Sequence, residues 1–321
     1  MKILVAPLNW GLGHASRCVP LVQRFLNEGH EVILGGDGDS MTLLRKHFPK
    51  LRYVYLAPLN LRYGKGHRQV WAMMKALPKL IVWAIKDHAM LAAVLREEKI
   101  DRVVSDNRFG LYNRGTECIY MTHQLHIMLP QGWRWAESIA ERLHARIYSR
   151  YNKVWVPDTE DEQTSLSGAL GRLPKPSDKI EYIGALSRFS DTQNLVSPSS
   201  RSRNDLNAFS VVAVLSGLEP QRTMLEREIM KRYAGKKDQV LVIQGLMSRP
   251  NTKMKRGNIT IVPYLTDEEL AAVMLGAKKI IARSGYSTLM DLKALDVLDK
   301  AELIPTPGQP EQEYLASRYF S

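Results

Sequence analysis

Apolar positions along this chain follow two rhythms. Short, nearly unbroken apolar runs alternate with longer segments in which apolar residues recur every three or four positions. KILVAP at 2–7, HEVILGG at 30–36, LRYVYLAP at 51–58, IDRVVS at 100–105, ECIYMTH at 117–123 and NKVWVPD at 152–158 read as strands. Residues 15–29, 40–48 and 135–151 read as helices, and Gly29 stands where the first of them should stop. A longer helical region covers about 68–98, where Pro78 is expected to kink or split it. Strands alternating with helices predict a parallel sheet covered on both faces.

The rhythm breaks at 188–208, which is polar, serine-rich and without period, and reads as a linker. Beyond it the alternation restarts. Strands are expected at 209–217, 238–245, 258–265, 278–285 and 301–307, with helices at 221–234, 267–277 and about 287–295. The expectation is an α/β protein of two Rossmann-like, doubly wound domains, 1–187 and 209–321, facing a cleft. A chain of 321 residues is also long for one core and suits two.

Composition narrows the classes. Hydrophobic residues make up 45%, as in a soluble globular protein. Cys18 and Cys118 lie far apart and in no metal spacing, which argues against a disulfide scaffold or a metal site and fits a cytoplasmic setting. KILVAPL is too short for the apolar core of a signal peptide. The longest apolar run, LIVWAI at 80–85, falls far short of the roughly 18 residues of a spanning helix. The net charge of +12 admits nucleic acid, an anionic membrane surface or phosphorylated substrates as partners. No nucleic-acid-reading motif accompanies it, so no nucleic-acid partner is expected. Residues 69–95 are rich in Trp, Met and Leu with Lys75, Lys79 and Lys86 interspersed, and RYGKGHR at 62–68 adds Arg62, Lys65 and Arg68. Trp71 and Trp83 among lysines suit an interfacial helix on an anionic membrane, although an ordinary amphipathic core helix has the same pattern.

Ligands of paired doubly wound domains lie at the carboxyl ends of the strands, so the loops leaving strands carry the candidate chemistry. The first strand exits into NWGLGHASR at 9–17. Gly11 and Gly13 nearly match a dinucleotide fingerprint, and Asp37 stands where a ribose-binding acid would. A dinucleotide-dependent oxidoreductase is therefore one reading. Against it, Ser16 replaces the last small residue, and His14 and Arg17 crowd the place of a pyrophosphate. His14 is expected to face the cleft rather than lie buried. Asp106 could orient His14, act as a base itself, or merely cap a turn. Thr122-His123-Gln124 offers another polar loop on the same side. In the second half, Ser216 and Gly217 lead into a helix that carries Arg222, and Ser284-Gly285 opens another that carries Ser287, Thr288 and Asp291. Helix amino termini with small residues favour phosphate, and Arg222 could add a charged contact. A rigid proline-glycine loop at 305–314 supplies Gln309, Gln312 and Glu313. Together these describe a nucleotide-diphosphate pocket.

At these residues the chain resembles the two-domain GT-B nucleotide-sugar glycosyltransferases, and most closely the MurG-like group of glycosyltransferase family 28. GLGHASR at 11–17 is similar to the family's first loop, and IIARSGYSTLMDL at 280–292 with IPTPGQPEQEYLA at 304–316 to its donor-binding block. The resemblance implies an inverting hexosyltransferase. It would use a nucleoside-diphosphate sugar, UDP first, and a lipid-linked or cell-envelope glycan acceptor, with no cofactor or metal. It gives His14 the acceptor hydroxyl and the leaving phosphate. Ser216, Gly217, Ser284 and Gly285 would hold the pyrophosphate, Asp291 the ribose, and Gln312 and Glu313 the sugar. His123 and Gln124 would lie on the acceptor side. Asp291 and Glu313 depart from the family's glutamate and glutamine. The family also continues with a strand–helix unit and a helix that returns to the first domain, which implies a truncated second domain here. The non-enzymatic alternative is a nucleotide-sugar-binding remnant or partner subunit.

Overall fold

A computed structural model describes residues 1–59, 69–173, 177–190 and 209–319, with the side chains of 69–75 left out. The basic stretch at 62–68, most of the linker, Trp71 and Lys75 fall outside what is described.

The first sheet holds seven parallel strands: β1 (Lys2–Pro7), β2 (Glu31–Gly36), β3 (Tyr53–Tyr55), β4 (Arg102–Asp106), β5 (Glu117–Met121), β6 (Lys153–Val156) and β7 (Ile180–Tyr182). Their order is β3-β2-β1-β4-β5-β6-β7. Five of the six residues of β1 are buried, as expected of a strand covered on both faces. Ile3 pairs with Val32 on one side and Arg102 on the other, so β1 and β4 bound the switch point where ligands gather. On one face lie α1 (Gly13–Asn27) and α2 (Gly38–His47). Ala15, Cys18, Leu21, Val22 and Phe25 give α1 its buried stripe. Its end is closed as the sequence suggests. Gly29, at φ +78°, donates to Leu26 O, and His30 N donates to Phe25 O, the paired bonds of a glycine-terminated helix. On the other face α3 (Gln69–Glu97) and α4 (Glu137–Tyr148) share a second core layer with β4, β5 and β6. Pro78 does not split α3, which runs through it as one element.

The second sheet has six strands: β8 (Val211–Val214), β9 (Val240–Ile243), β10 (Met254–Arg256), β11 (Ile259–Val262), β12 (Lys279–Ala282) and β13 (Ala301–Leu303). The order is β10-β11-β9-β8-β12-β13, all parallel except the β10–β11 pair. Its helices are α5 (Gln221–Tyr233), α6 (Asp267–Gly276), α7 (Tyr286–Ala294) and α8 (Pro310–Tyr319). Thr266 and Glu269 start α6 with a reciprocal capping box.

Two details depart from the sequence reading. The 305–314 stretch is not loop throughout, because Pro310 opens α8, its fixed φ and missing N–H costing nothing at a first helical position. Residues 187–189, where the first domain meets the expected linker, are packed: Phe189 belongs to the second core, and Arg188 pairs with Asp267 and Asp291.

The two domains touch extensively. Tyr286, Leu289, Met290 and Leu315 join the α1–α2 core layer of the first domain. The amino-terminal part of α8 lies by the 305–309 loop, while Ala169 N–H donates to Tyr314 OH at 2.9 Å and Arg318 Nη2 donates to Ser165 O at 3.0 Å.

Candidate functional site

Both sheets deliver their strand ends to one place. Gly11 (φ +80°) and Gly217 (φ +91°) face each other, and a Cβ on Gly11 would stand 3.4 Å from Gly217 N. A Cβ on Gly13 would stand 3.0 Å from Ser287 Oγ, whose hydroxyl donates to Gly13 O at 2.8 Å. The glycines of the first loop therefore let the opposite domain approach the backbone.

His14 sits in the first turn of α1. Its side chain is 15% exposed, more enclosed than the sequence suggests. Nδ1 lies 3.1 Å from Asp106 Oδ1 and 2.9 Å from Arg17 Nη2. Arginine only donates, so the ring nitrogen can serve one of these neighbours at a time. Donation to Asp106 leaves Nε2 with its lone pair. Burial lowers the affinity of His14 for a proton; Asp106 opposes that and Arg17 adds to it.

Asp106 ends β4 and is fully buried. It accepts Arg17 Nε at 2.8 Å, and Arg17 Nη2 contacts its other oxygen. Burial works against its ionisation, but Arg17 and then His14 outweigh burial and hold the carboxyl well below the usual range. This corrects the reading of Asp106 as a base. It has no free face for a substrate, and its geometry suits it to orient His14. Arg17, also buried, extends Nη1 to His123 Nδ1 at 3.0 Å. His123 stacks on Tyr286 with ring centroids 4.4 Å apart, and its Nε2 lies 2.8 Å from Glu311 Oε1 on α8. Gln124 donates its backbone N–H to Thr122 Oγ1 at 3.2 Å, closing that turn.

On the second domain, half-buried Ser216 and exposed Gly217 lie between β8 and α5, and Gly285 precedes α7 in extended conformation with Thr288 one turn on. Several expected ligand contacts are engaged internally. Ser284 Oγ donates to Gln312 O at 2.7 Å. Gln312 Oε1 accepts Thr306 N–H and Glu313 Oε1 accepts Gly308 N–H, so both brace the loop that carries Gln309. Arg222 is held by Glu219, just ahead of α5, and by Glu226 one turn along it, which corrects its reading as a phosphate contact. Asp291 is 8% exposed and accepts Ser187 Oγ at 2.7 Å and Arg188 Nε at 3.3 Å. That corrects the ribose reading: its carboxylate ties α7 to the interdomain segment, a geometry that a shorter acid than glutamate permits. Asp37 is likewise engaged, accepting Asn9 Nδ2 and Arg108 Nη1, both at 3.1 Å, so the dinucleotide reading loses its acid.

Trp83 is another correction. It is 4% exposed and donates Nε1–H to Ala57 O at 2.8 Å, a core residue and not an interfacial one. Sequence reasoning missed Glu311, Tyr286, Arg108 and Arg283. Arg108 is fully buried and bidentate on Asp87, joining α3 to the strand ends. Arg283 donates to Pro305 O and Gln221 O, tying the loop after β13 to the start of α5. A surface hollow of about 370 Å³ among Glu98, Asp101 and Glu117 lies at the opposite, amino-terminal end of β4 and β5.

No protein-family model matches the chain. An uncharacterized glycosyltransferase of Methanosarcina acetivorans is 23% identical over 332 positions, covering 98% of this chain and 82% of its own. The spinosyn forosaminyltransferase SpnP superposes on 99% of this chain and 84% of its own, with a TM-score of 0.58 at 15% identity. The glycosyltransferase SsfS6 of Streptomyces sp. SF2575, complexed with thymidine diphosphate, covers 99% and 85%, with a TM-score of 0.55 at 13% identity. The fold is GT-B. Its two α/β domains with parallel sheets are shared across these neighbours.

Proposed function

We propose that this protein is an inverting glycosyltransferase of the MurG-like, family 28 group. It moves a hexosyl unit from a nucleoside-diphosphate sugar, UDP first, to a hydroxyl of a lipid-linked or cell-envelope glycan. The observation that carries the reading is the His14–Asp106 pair at 3.1 Å, set where the first domain meets the Ser284–Gly285 helix start of the second. The acceptor oxygen attacks the anomeric carbon while the bond to the diphosphate oxygen breaks. The hydroxyl proton passes to His14 Nε2, and Asp106 stabilises the imidazolium. The diphosphate leaves with the bonding pair. Amide N–H groups at 216–217 and 285–288 stand ready for its charge, the service a helix amino terminus gives to phosphate. The glycosyltransferase names of the Methanosarcina relative and of SpnP, and the thymidine diphosphate in SsfS6, support the donor class.

An amphipathic surface supports a lipid-linked acceptor. On α3, Leu77, Ile81 and Ile85 recur every fourth residue and are exposed, with Val82 beside them and exposed Lys79 and Lys86. At the start of α4, Trp135, Ile139 and Leu143 repeat the spacing, Trp135 being 70% exposed, among exposed Arg134, Arg142 and Arg146. Apolar ridges with basic flanks suit a peripheral position on an anionic bilayer, the inner face of the cytoplasmic membrane. No described helix is long and apolar enough to cross one.

The test is a nucleotide-sugar transfer assay beside nucleotide titrations. His14→Ala should abolish turnover while UDP or TDP binding stays within a few-fold of the parent. Near-normal turnover removes His14 from the chemistry. Tight NAD(H) binding without nucleotide binding favours the oxidoreductase reading, and nucleotide binding without transfer favours the non-catalytic one. Binding to anionic vesicles should weaken as salt rises, and Trp135→Glu should reduce it.

A further inference from the structure

Glu311 belongs to the second domain, yet its carboxylate faces the polar chain that ends at His14. The chain can be read one donor at a time. Arg17 Nη1 is 3.0 Å from His123 Nδ1, and a guanidinium can only donate, so Nδ1 accepts. The proton of a neutral His123 then sits on Nε2, which donates to Glu311 Oε1 at 2.8 Å. Tyr286, also from the second domain, lies flat against the His123 ring, and its hydroxyl donates to Pro157 O at 2.7 Å, so the ring is clamped. With Nη1 directed at His123 and Nε on Asp106 Oδ2, the planar guanidinium has a single orientation. That orientation sets where Asp106 Oδ1 stands for His14 Nδ1. Arg17 Nη2 is also 2.9 Å from the same Nδ1, so a small swing of the guanidinium offers His14 a donor in place of an acceptor. His14 would then hold its proton on Nε2 and could no longer take one there.

We infer that Glu311 is a positioning residue: through His123 and Arg17 it holds Asp106 as the partner of His14 Nδ1, so that the base is assembled from both domains. The inference rests on the proposed role of His14. The charged and titratable groups facing His14 are Asp106 on β4, Arg17 on α1, His123 after β5 and Glu311 on α8. Glu311 immediately precedes Gln312, which fixes the Thr306 backbone of the donor-side loop. The same helix turn therefore shapes the donor side and the base.

The test compares the parent with Glu311→Ala and Glu311→Gln. Imidazole nitrogen shifts, read by proton–nitrogen correlation NMR, give each histidine's tautomer without any need for turnover. The expected parent pattern is His123 protonated on Nε2 and His14 on Nδ1. Glu311→Ala should move His14 towards the Nε2–H form and lower kcat/KM about tenfold or more, with a displaced acid limb and unchanged nucleotide affinity. Glu311→Gln keeps an acceptor oxygen and should restore most of both. An unchanged His14 tautomer in Glu311→Ala overturns the inference. So does a loss confined to donor affinity, which would make Glu311 a sugar ligand. Absence of transfer in the parent would count against the glycosyltransferase reading, while the tautomer measurement would still decide this one.

Discussion

His14 is set up to stay neutral. Its burial and the nearby Arg17 both oppose protonation, and Asp106 only partly offsets them. A neutral form that persists below the ordinary histidine range predicts that kcat/KM stays level down to about pH 6.5 and falls only below it. An acid limb centred above that value would show that Asp106 dominates instead. Asp106→Asn removes the charge that pairs with buried Arg17, and leaving such a group unpaired costs about 3–5 kcal/mol. Denaturant midpoints should show the loss, and a midpoint close to the parent's would mean that water reaches Arg17. His144 offers a stability effect away from the site. Burial lowers its pKa to about 4, with Tyr120 OH 3.1 Å from its Nε2. The unfolded chain then binds the extra proton between about pH 6.5 and 4. Stability is full above that window and declines on acidification through it, by on the order of 3 kcal/mol. His144→Phe should flatten that part of the pH–stability curve. Four members of the polar chain, His14, Arg17, Asp106 and His123, were legible because each follows a strand within one domain's sequence. Glu311 and Tyr286 were not, because their partner His123 belongs to the other domain and nothing local in the sequence marks a contact between domains.

At the scale of elements, the apolar runs identified the buried strands well, with β1 matching its expected span. The misses were β7 and β10, which carry little hydrophobic signal: all three residues of β10 are exposed. Their pairing comes from neighbouring strands and not from their own residues. The whole of α8 was missed, because Pro310 and the polar residues after it resemble loop. Gly110 shows an element held by close approach. A Cβ there would lie 2.1 Å from Ala84 O and 2.8 Å from Asp87 Cβ, against the backbone of α3. Gly110→Ala should push α3 outward and destabilise the fold by about 1–3 kcal/mol. A thermal midpoint unchanged within error would show that the loop yields instead.

For the whole molecule, the chief lesson is that the domains are not independent. Tandem doubly wound units were legible from the restart of the strand–helix rhythm. Their joint core was not, because periodicity reports that a helix has an apolar face and not which sheet covers it. With Tyr286, Leu289, Met290 and Leu315 inside the first domain's α1–α2 layer, the halves should unfold together. Calorimetry should give a single transition whose van't Hoff and calorimetric enthalpies agree, and two resolved peaks would contradict that coupling.

The docking of α8 on residues 165–169 has a mechanical consequence. Besides the α7 face buried in the α1–α2 layer, the second domain holds the first through the segment at 187–189 and through the carboxyl-terminal helix. Any opening of the cleft therefore has to part these attachments or bend the segments that make them. Glu311 lies one helical turn from Tyr314, so the attachment that anchors α8 also keeps the Glu311 carboxylate beside His123.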